Sequence, residues 1–356
     1  MKLLIIHKCR YPTEIGKSDI NWYLKYFEKY NDWINDLYCL DRYGKRIFGD
    51  RVRIKNDILE DFVFSLKASW FIFKNIKKYN TVYYINPIFF WIFPIIISRL
   101  LGKKIIFDLR TGPVREKDLI YKIKIFLDSI IIWISNKVVF INKDIYYKLW
   151  YWGLGKKQIL QTLLWYEPND NYTEEKKLCL CNLIEDKNYK FLYVWNLGKK
   201  RELEYMIQWF NDFPNTSLYI LWDWDNINYL KNIAQKNIYF LWSVPYEEVI
   251  WYMKYCDYGV SFIPEKGFYD LQPPLKTIEY LWAWLPVLWT NTQGNMKFIN
   301  KKNWVIIQKY KSSESIRNAI EKIIKTPFDK WEIKLLAKRY TRENIVSKIY
   351  DFIKVR

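Results

Sequence analysis

The amino-acid sequence predicts an α/β protein of two doubly wound, Rossmann-like domains facing one another across a cleft. Three observations predict it. Short apolar runs alternate with amphipathic stretches along the chain, the pattern of parallel strands and crossover helices. The alternation fails once, around residues 167–190, where "EPNDNYTEEKKLCLCNLIEDKNYK" is polar, charged and without clear period. The length of 356 residues suits two domains, each with its own core.

In the first half the apolar runs predict strands near 2–7, 37–40, 81–85, 104–107 and 137–141. Amphipathic periodicity predicts helices near 20–30, 89–101 and 117–134. After the break, strands are expected at 191–194, 217–221, 238–241, 258–262, 286–288 and 305–307. Helices fit 202–211, 226–236, 246–255, 274–280 and 313–325, and a helical segment over 333–353 ends the pattern. The expected division is a first domain over 1–168, a linker over 169–189, a second domain over 190–332, and a helical segment over 333–356 that packs back on the first domain. In such a fold, ligands bind at the carboxyl ends of the strands.

Composition narrows the function classes. Apolar residues at 51% and charged residues at 27% describe a soluble globular chain. The opening "MKLLIIHKCRYP" holds too short an apolar run for a signal peptide, and the longest apolar stretch, 88–97, contains Pro94 and is too short to span a bilayer. A cytoplasmic location follows as an expectation, at the inner face of the cell membrane if the chain touches lipid. The five cysteines form neither a disulfide nor a metal framework, and Cys179 and Cys181 make a lone C-x-C. His7 is the only histidine, which argues against a His-rich metal site or a Ser-His-Asp triad elsewhere; at the end of a strand it reads as a structural polar residue. The net charge of +19 favours polyanionic partners, yet the lysines are dispersed and no nucleic-acid-binding signature accompanies them.

One imbalance stands out. At an average of about 7% glycine, roughly 25 glycines would be expected. The chain has 11, with 19 tryptophans.

The second half carries six motifs in order. A strand, glycine, basic loop and helix occur in "FLYVWNLGKKRELEYMIQWF", and a strand ending in an acidic turn in "LYILWDWDN". "IYFLWSVPYEEV", "CDYGVSFIP", "EYLWAWLPVL" and "KNWVII" follow. Together they resemble GT-B glycosyltransferases, in particular glycosyltransferase family 4; the resemblance covers essentially the whole chain and is strongest over 191–307. It implies that the first domain binds acceptor and the second binds a nucleotide sugar. At all of these motifs but "CDYGVSFIP" the family's glycine is tryptophan here, at Trp195, Trp222, Trp224, Trp242, Trp284 and Trp304, and Trp165 occupies another such place. Glycine serves there because it reaches positive φ cheaply and lets backbone approach a phosphate. One-for-one replacement at seven places fits a gene that uses UGA for glycine, written out with a code that reads UGA as tryptophan. Trp282 and Trp289 would then be glycine too.

A sugar nucleotide needs its phosphates neutralised, its ribose held and its base seated. Gly198, Lys199, Lys200 and Arg201 lie between a strand and a helix, where basic side chains and backbone N–H groups face a diphosphate. Arg201 takes the place of the family's lysine in this loop, while Asn196 stands where the family usually has arginine. In "PPLKTIEY", Pro274 suits a first helical turn, with Lys276 near its positive end and Glu279 on the same face. The resemblance implies that Lys276 meets donor phosphate and Glu279 the ribose hydroxyls; a surface i,i+3 ion pair is the structural alternative. The family's first glutamate is missing: Leu271 holds its register, with Asp270 and Glu265 nearby. Val244, in the Gly-x-Val-Pro-like turn, joins the donor set. In the first domain, Gly16 in "TEIGKSD" fits the family's glycine loop, and Asp108 or Arg110 in "FDLRTG" would face the acceptor. The apolar stretch 89–101, followed by Lys103 and Lys104, either packs on the sheet or touches a bilayer.

The resemblance implies a retaining, metal-independent glycosyltransferase of hexosyltransferase type that needs no cofactor. It would move sugar from a nucleoside diphosphate to a hydroxyl of a surface polysaccharide or lipid-linked acceptor, with Lys276, Arg201 and Asp108 as catalytic candidates. Expected partners are the nucleotide-sugar donor, a glycan or lipid-linked acceptor and an anionic membrane surface, with no nucleic acid. Two alternatives stay open: a GT-B-fold sugar-nucleotide epimerase, and a non-catalytic polyanion-binding homologue.

Overall fold

Strands covered on both faces by helices read as unbroken apolar runs, and two parallel sheets account for them. The computed structural model describes residues 2–8, 29, 34–40, 47–49, 57–85, 88, 90–110, 119–149, 158–162, 181–194, 201–221, 227–241, 244, 248–298 and 304–355. The chain divides into two units: Met1–Leu163 with Arg342–Arg356, and Leu164–Thr341.

In the first unit, β1 (Lys2–Ile6), β2 (Ile34–Cys39), β3 (Ile47–Gly49), β4 (Thr81–Ile85), β5 (Lys104–Leu109), β6 (Lys137–Phe140) and β7 (Gln158–Gln161) form one sheet in the order β3-β2-β1-β4-β5-β6-β7. Every pairing is parallel; Leu3 lies opposite Asn35 on one side and Thr81 on the other. The intervening helices are α1 (Asp57–Lys74), α2 (Ile92–Leu100), α3 (Leu119–Ile134) and α4 (Lys143–Leu149). From β3 onward each step moves the same way across the sheet, so right-handed crossovers put these four helices on one face.

In the second unit, α5 (Cys181–Glu185) leads into β8 (Tyr189–Val194), β9 (Thr216–Leu221), β10 (Ile238–Leu241), β11 (Tyr258–Ser261), β12 (Val287–Thr290) and β13 (Trp304–Ile307). Their order, β10-β9-β8-β11-β12-β13, is the doubly wound one, with the reversal between β8 and β11. The helices are α6 (Leu203–Asn211), α7 (Ile227–Ile233), α8 (Val249–Tyr255), α9 (Leu275–Trp282), α10 (Ser313–Lys325) and α11 (Lys330–Ala337). Met206, Ile207 and Phe210 of α6 bury against Phe191, Leu218 and Ile220 of the sheet, and Ile316, Ile320 and Ile323 of α10 complete the same core.

The fold class is the expected one, and four elements of the first unit are additions to it. The sequence predicts neither α1 nor α4, and neither β3 nor β7. Helix α1 hides because it is apolar on two sides, burying Phe64, Ala68 and Ile72 while exposing Leu59, Leu66 and Phe73. The expected helix over 20–30 lies outside the described residues apart from Lys29. Part of the expected linker is folded: Leu183 of α5 is buried, and Asp186 accepts a 2.7 Å hydrogen bond from the Tyr219 hydroxyl of β9. The single helical segment expected from 333 is instead α11, a 3₁₀ turn at Lys338–Tyr340 and α12 (Arg342–Lys354). Only α12 belongs to the first unit. Lys104 Nζ donates to the carbonyl of Ile353 at 3.1 Å and Lys137 Nζ to those of Phe352 and Val355, both at 2.5 Å. Cations on the orphan carbonyls of a helix C-terminus are favourable.

Candidate functional site

The carboxyl edge of the second sheet gathers the polar groups. Helix α9 begins there because Pro274, at extended backbone angles, ends the preceding segment, and the Thr277 amide bonds back to the Pro274 carbonyl at 3.2 Å. A buried network holds that first turn in place. Thr277 Oγ1 and Ser261 Oγ lie 2.9 Å apart, and Ser261 Oγ donates to Asn295 Oδ1 at 3.1 Å. Asn295 Nδ2 donates in turn to the Thr290 carbonyl at 3.2 Å. The helix start is thereby tied to the ends of β11 and β12.

The middle of α9 is fixed differently. The Tyr280 ring lies over Gly259 of β11, where a Cβ would come within 2.5 Å of the ring. Its hydroxyl accepts the backbone N–H of Val194, the last residue of β8, at 3.0 Å. One tyrosine therefore registers α9 on two strands. A glycine inside a strand was the available sequence signal for such close packing.

On this scaffold Lys276 Nζ and Glu279 Oε2 meet at 2.7 Å, with side chains 14% and 1% exposed. The i,i+3 pair exists, but it is an inward-facing pair and not a surface one. Arg201 begins the short turn before α6, and its guanidinium lies 5.3 Å from the Tyr269 ring centroid. Its charge also reaches Tyr193: burial pushes that phenol up, and Arg201 pulls it partly back. Tyr280 is raised chiefly by burial, with smaller upward contributions from Tyr193 and Glu279.

The residue beside Arg201 went unnoticed in the sequence. Glu202 sits at φ 54°, a left-handed conformation unusual for glutamate. Its carboxylate accepts from Lys266 Nζ at 2.8 Å and from the Tyr310 hydroxyl at 2.6 Å, with Lys311 Nζ at 3.3 Å. Burial pushes this carboxyl up, but the bonds from Lys266 and Tyr310 outweigh it and hold it below the usual range. The clamp fixes the turn that aims Arg201. Asp270 is also a brace: its side chain receives the backbone and side-chain N–H groups of Gln293 at 3.1 and 3.0 Å. Leu271 is buried, and Glu265 is exposed with its carboxyl raised by partial desolvation and by Asp270. Val244 lies half-buried just past β10. Gly198 and Lys200 are outside the described residues, as is Gly16.

In the first unit, Asp108 and Arg110, the residues expected to face the acceptor, are both buried and bonded to one another. Asp108, fully buried at the end of β5, accepts from the Tyr83 hydroxyl at 2.5 Å and from Arg110 Nη2 at 2.8 Å. Arg110 Nη1 donates to Thr162 Oγ1 at 3.2 Å. The pair fastens β4, β5 and the end of β7 to one another. His7, just past β1, is buried and held neutral, its pKa pushed down to about 4 by desolvation. Lys8 beside it bonds Glu60 and Asp61 of α1 at 2.9 and 2.5 Å.

Residues 181–344 match the family model described as Glycosyl transferases group 1. This region is a group 1 glycosyltransferase domain. It opens at α5, inside the stretch expected as linker, and contains Arg201, Lys276 and Glu279. Solved structures extend the likeness to both units. HepE of Anabaena, solved with UDP and glucose, superposes with a TM-score of 0.70 at 12% identity over 100% of both chains. Sucrose-phosphate synthase of Thermosynechococcus elongatus gives 0.69 at 12% identity, over 99% of this chain and 98% of that one. UDP-GlcNAc 2-epimerase of Methanocaldococcus jannaschii gives 0.62 at 12% identity over 99% of both. At such identities the likeness is one of fold, the two-domain GT-B architecture. No curated protein sequence matches the chain significantly.

Proposed function

We propose that the group 1 domain binds a nucleoside-diphosphate sugar at the start of α9, and that the chain is a retaining glycosyltransferase of hexosyltransferase type. The observation that carries this reading is the inward-facing Lys276–Glu279 pair in the first two turns of a helix held at the carboxyl edge of a doubly wound sheet. A helix N-terminus and a nearby lysine suit a diphosphate, and a glutamate one turn on suits ribose hydroxyls. Paired at 2.7 Å, the two side chains neutralise each other. On binding, Lys276 exchanges Glu279 for donor phosphate, and Glu279 accepts hydrogen bonds from the ribose.

Arg201 adds a second cation, aimed by the Glu202 clamp, for the charge that develops on the leaving diphosphate. In this mechanism the departing phosphate assists removal of the acceptor proton, so no protein nucleophile and no metal is required. The acceptor is a hydroxyl of a surface polysaccharide or lipid-linked glycan. That Anabaena HepE was solved with UDP and glucose supports the donor class.

A second reading is favoured by the 2-epimerase likeness. It is weakened by the single histidine, which burial keeps neutral in the first unit. Thermal shift with UDP-, GDP- and ADP-sugars, followed by incubation with and without glycan acceptors, separates the two. Acceptor-dependent release of nucleoside diphosphate is expected. Epimerised sugar without acceptor would establish the second reading. Absence of any donor shift together with tight polyanion binding would overturn both.

A further inference from the structure

The first unit shows an apolar face that the donor reading does not use. Helix α1 exposes Leu59, Leu66 and Phe73, spaced along one line of the helix. Helix α2 exposes Phe93, Ile96 and Leu100 at i, i+3 and i+7, and α3 exposes Leu119, Ile123 and Phe126 at i, i+4 and i+7. These helices share one side of the sheet, each burying a different stripe beneath. The result is a layer with apolar side chains above and below, and exposed apolar groups gathered on one face mark an interaction surface. Trp70 and Trp133 lie among the exposed groups, but the patch is complete without them.

Among its described side chains, the charges that stay outward have one sign. Lys74, Lys77, Arg99 and Lys122 are exposed beside the stripes. The described acidic side chains of α1 to α3 are taken up elsewhere: Glu60 and Asp61 bond Lys8, and buried Asp128 bonds Lys124 at 3.0 Å. The lysines that the sequence offered for lipid contact are also taken up. Lys103 donates to the carbonyls of Ile76 and Tyr79, and Lys104 to the end of α12. The basic groups that remain outward border the apolar stripes.

We propose that the α1–α2–α3 face lies flat on an anionic lipid bilayer, its apolar stripes among the acyl chains and its cations among the headgroups. Charge complementarity selects this occupant, because an apolar surface whose described outward charges are all cations matches anionic headgroups over hydrocarbon. No helix among the described residues is long and apolar enough to cross a membrane, so the contact is peripheral. Co-sedimentation of the full chain with phosphatidylglycerol and with phosphatidylcholine vesicles tests it. Binding to the anionic vesicles, weakened by salt, is expected. Arg99→Glu with Lys122→Glu should reduce it about tenfold or more. Leu66→Glu, Ile96→Glu and Ile123→Glu together should abolish it while leaving Tm and any donor-induced shift intact. Equal binding to both vesicles, or undiminished binding by the triple variant, overturns the proposal. So does a wild-type dimer that the triple variant converts to monomer, which would give the face to a second copy.

A different observation concerns the tryptophans. Helix α9 ends in a Schellman turn: the amide of Leu285 bonds the Tyr280 carbonyl at 3.0 Å and that of Trp284 the Leu281 carbonyl at 3.1 Å. The residue after the cap, Trp284, has φ 62°, the position glycine normally takes. Elsewhere the indole N–H groups of Trp282, Trp289 and Trp304 are buried without a hydrogen-bond partner, although a buried indole ordinarily finds one; that of Trp91 is bare as well, so the indoles add to the backbone angle at 284 and do not replace it. We infer that positions 282, 284, 289 and 304 are glycine in the natural protein, encoded by UGA. Peptide mass spectrometry of the protein from its native source should find glycine at these positions; tryptophan there ends the inference. In the tryptophan-bearing chain, Trp284→Gly should raise Tm, and a lower Tm would count equally against it.

Discussion

Two buried ion pairs, one in each unit, lie at the carboxyl edge of a parallel sheet, and they are built to opposite ends. Asp108 and Arg110 are closed in by Tyr83 and Thr162, on three neighbouring stretches of one sheet. Lys276 and Glu279 share a single helix, and the lysine keeps 14% of its side chain in contact with solvent. A pair locked from several strands has no cheap alternative partner and serves the fold. A pair on one helix, with a flexible member at the rim, can trade one partner for an anion. Sequence alone ranked Asp108 and Lys276 together as catalytic candidates; their surroundings separate them.

The comparison can be broken most directly at Asp108. Asp108→Ala leaves Arg110 buried without its carboxylate, a loss of about 3–5 kcal/mol in chemical denaturation. The fraction that remains folded should transfer sugar at the normal rate. If activity per folded molecule collapses instead, the structural assignment of this pair is wrong.

Lys276→Ala should show the reverse pattern. Turnover is expected to fall about 10²–10³-fold, as when a transition-state donor is removed, with a smaller loss of Tm than Asp108→Ala causes. Unchanged turnover would take the α9 pair out of the donor site.

A third contrast lies in acid stability. His7 titrates near 4 when folded against 6.5 ordinarily, so on acidification the unfolded chain takes up the proton first. Stability contributed by this group is present above pH 6.5 and is lost as pH falls toward 4, by about 3 kcal/mol. His7→Gln should flatten that part of the pH–stability curve; an unaltered slope would show that His7 is not held neutral.

The smallest expected effect is at Gly259. A methyl group there meets the Tyr280 ring at 2.5 Å, so Gly259→Ala should cost about 1–3 kcal/mol and weaken donor binding by displacing α9. Isothermal titration with the donor reads the second effect. Loss of stability with unchanged affinity would show that α9 need not be held so closely.

Much of the sheet was legible because strands buried on both faces leave contiguous apolar runs; β4, β10 and α10 fall where periodicity put them. The elements that escaped each violate the pattern for a reason. Strand β7 is a sheet edge with two exposed residues, and β3 is another edge of three residues. Helix α1 has apolar groups on both its sheet side and its outer side, which erases the period. The candidate site divides in the same way. Lys276 and Glu279 were legible because a helical turn brings i and i+3 together within one motif. Glu202 was not, because its partners Lys266 and Tyr310 lie 64 and 108 positions away and its left-handed backbone leaves no trace in composition.

By itself, then, the sequence determined the two-domain α/β plan, the strand runs and the pairing of residues within one helix, since these depend on local periodicity and composition. Tertiary structure alone decided which charges are enclosed and which stand at a rim, that Glu202 clamps the turn carrying Arg201, and that three helices pool their outer stripes into one apolar face. Those outcomes depend on which distant segments the sheet order brings side by side, and a linear pattern does not encode that order.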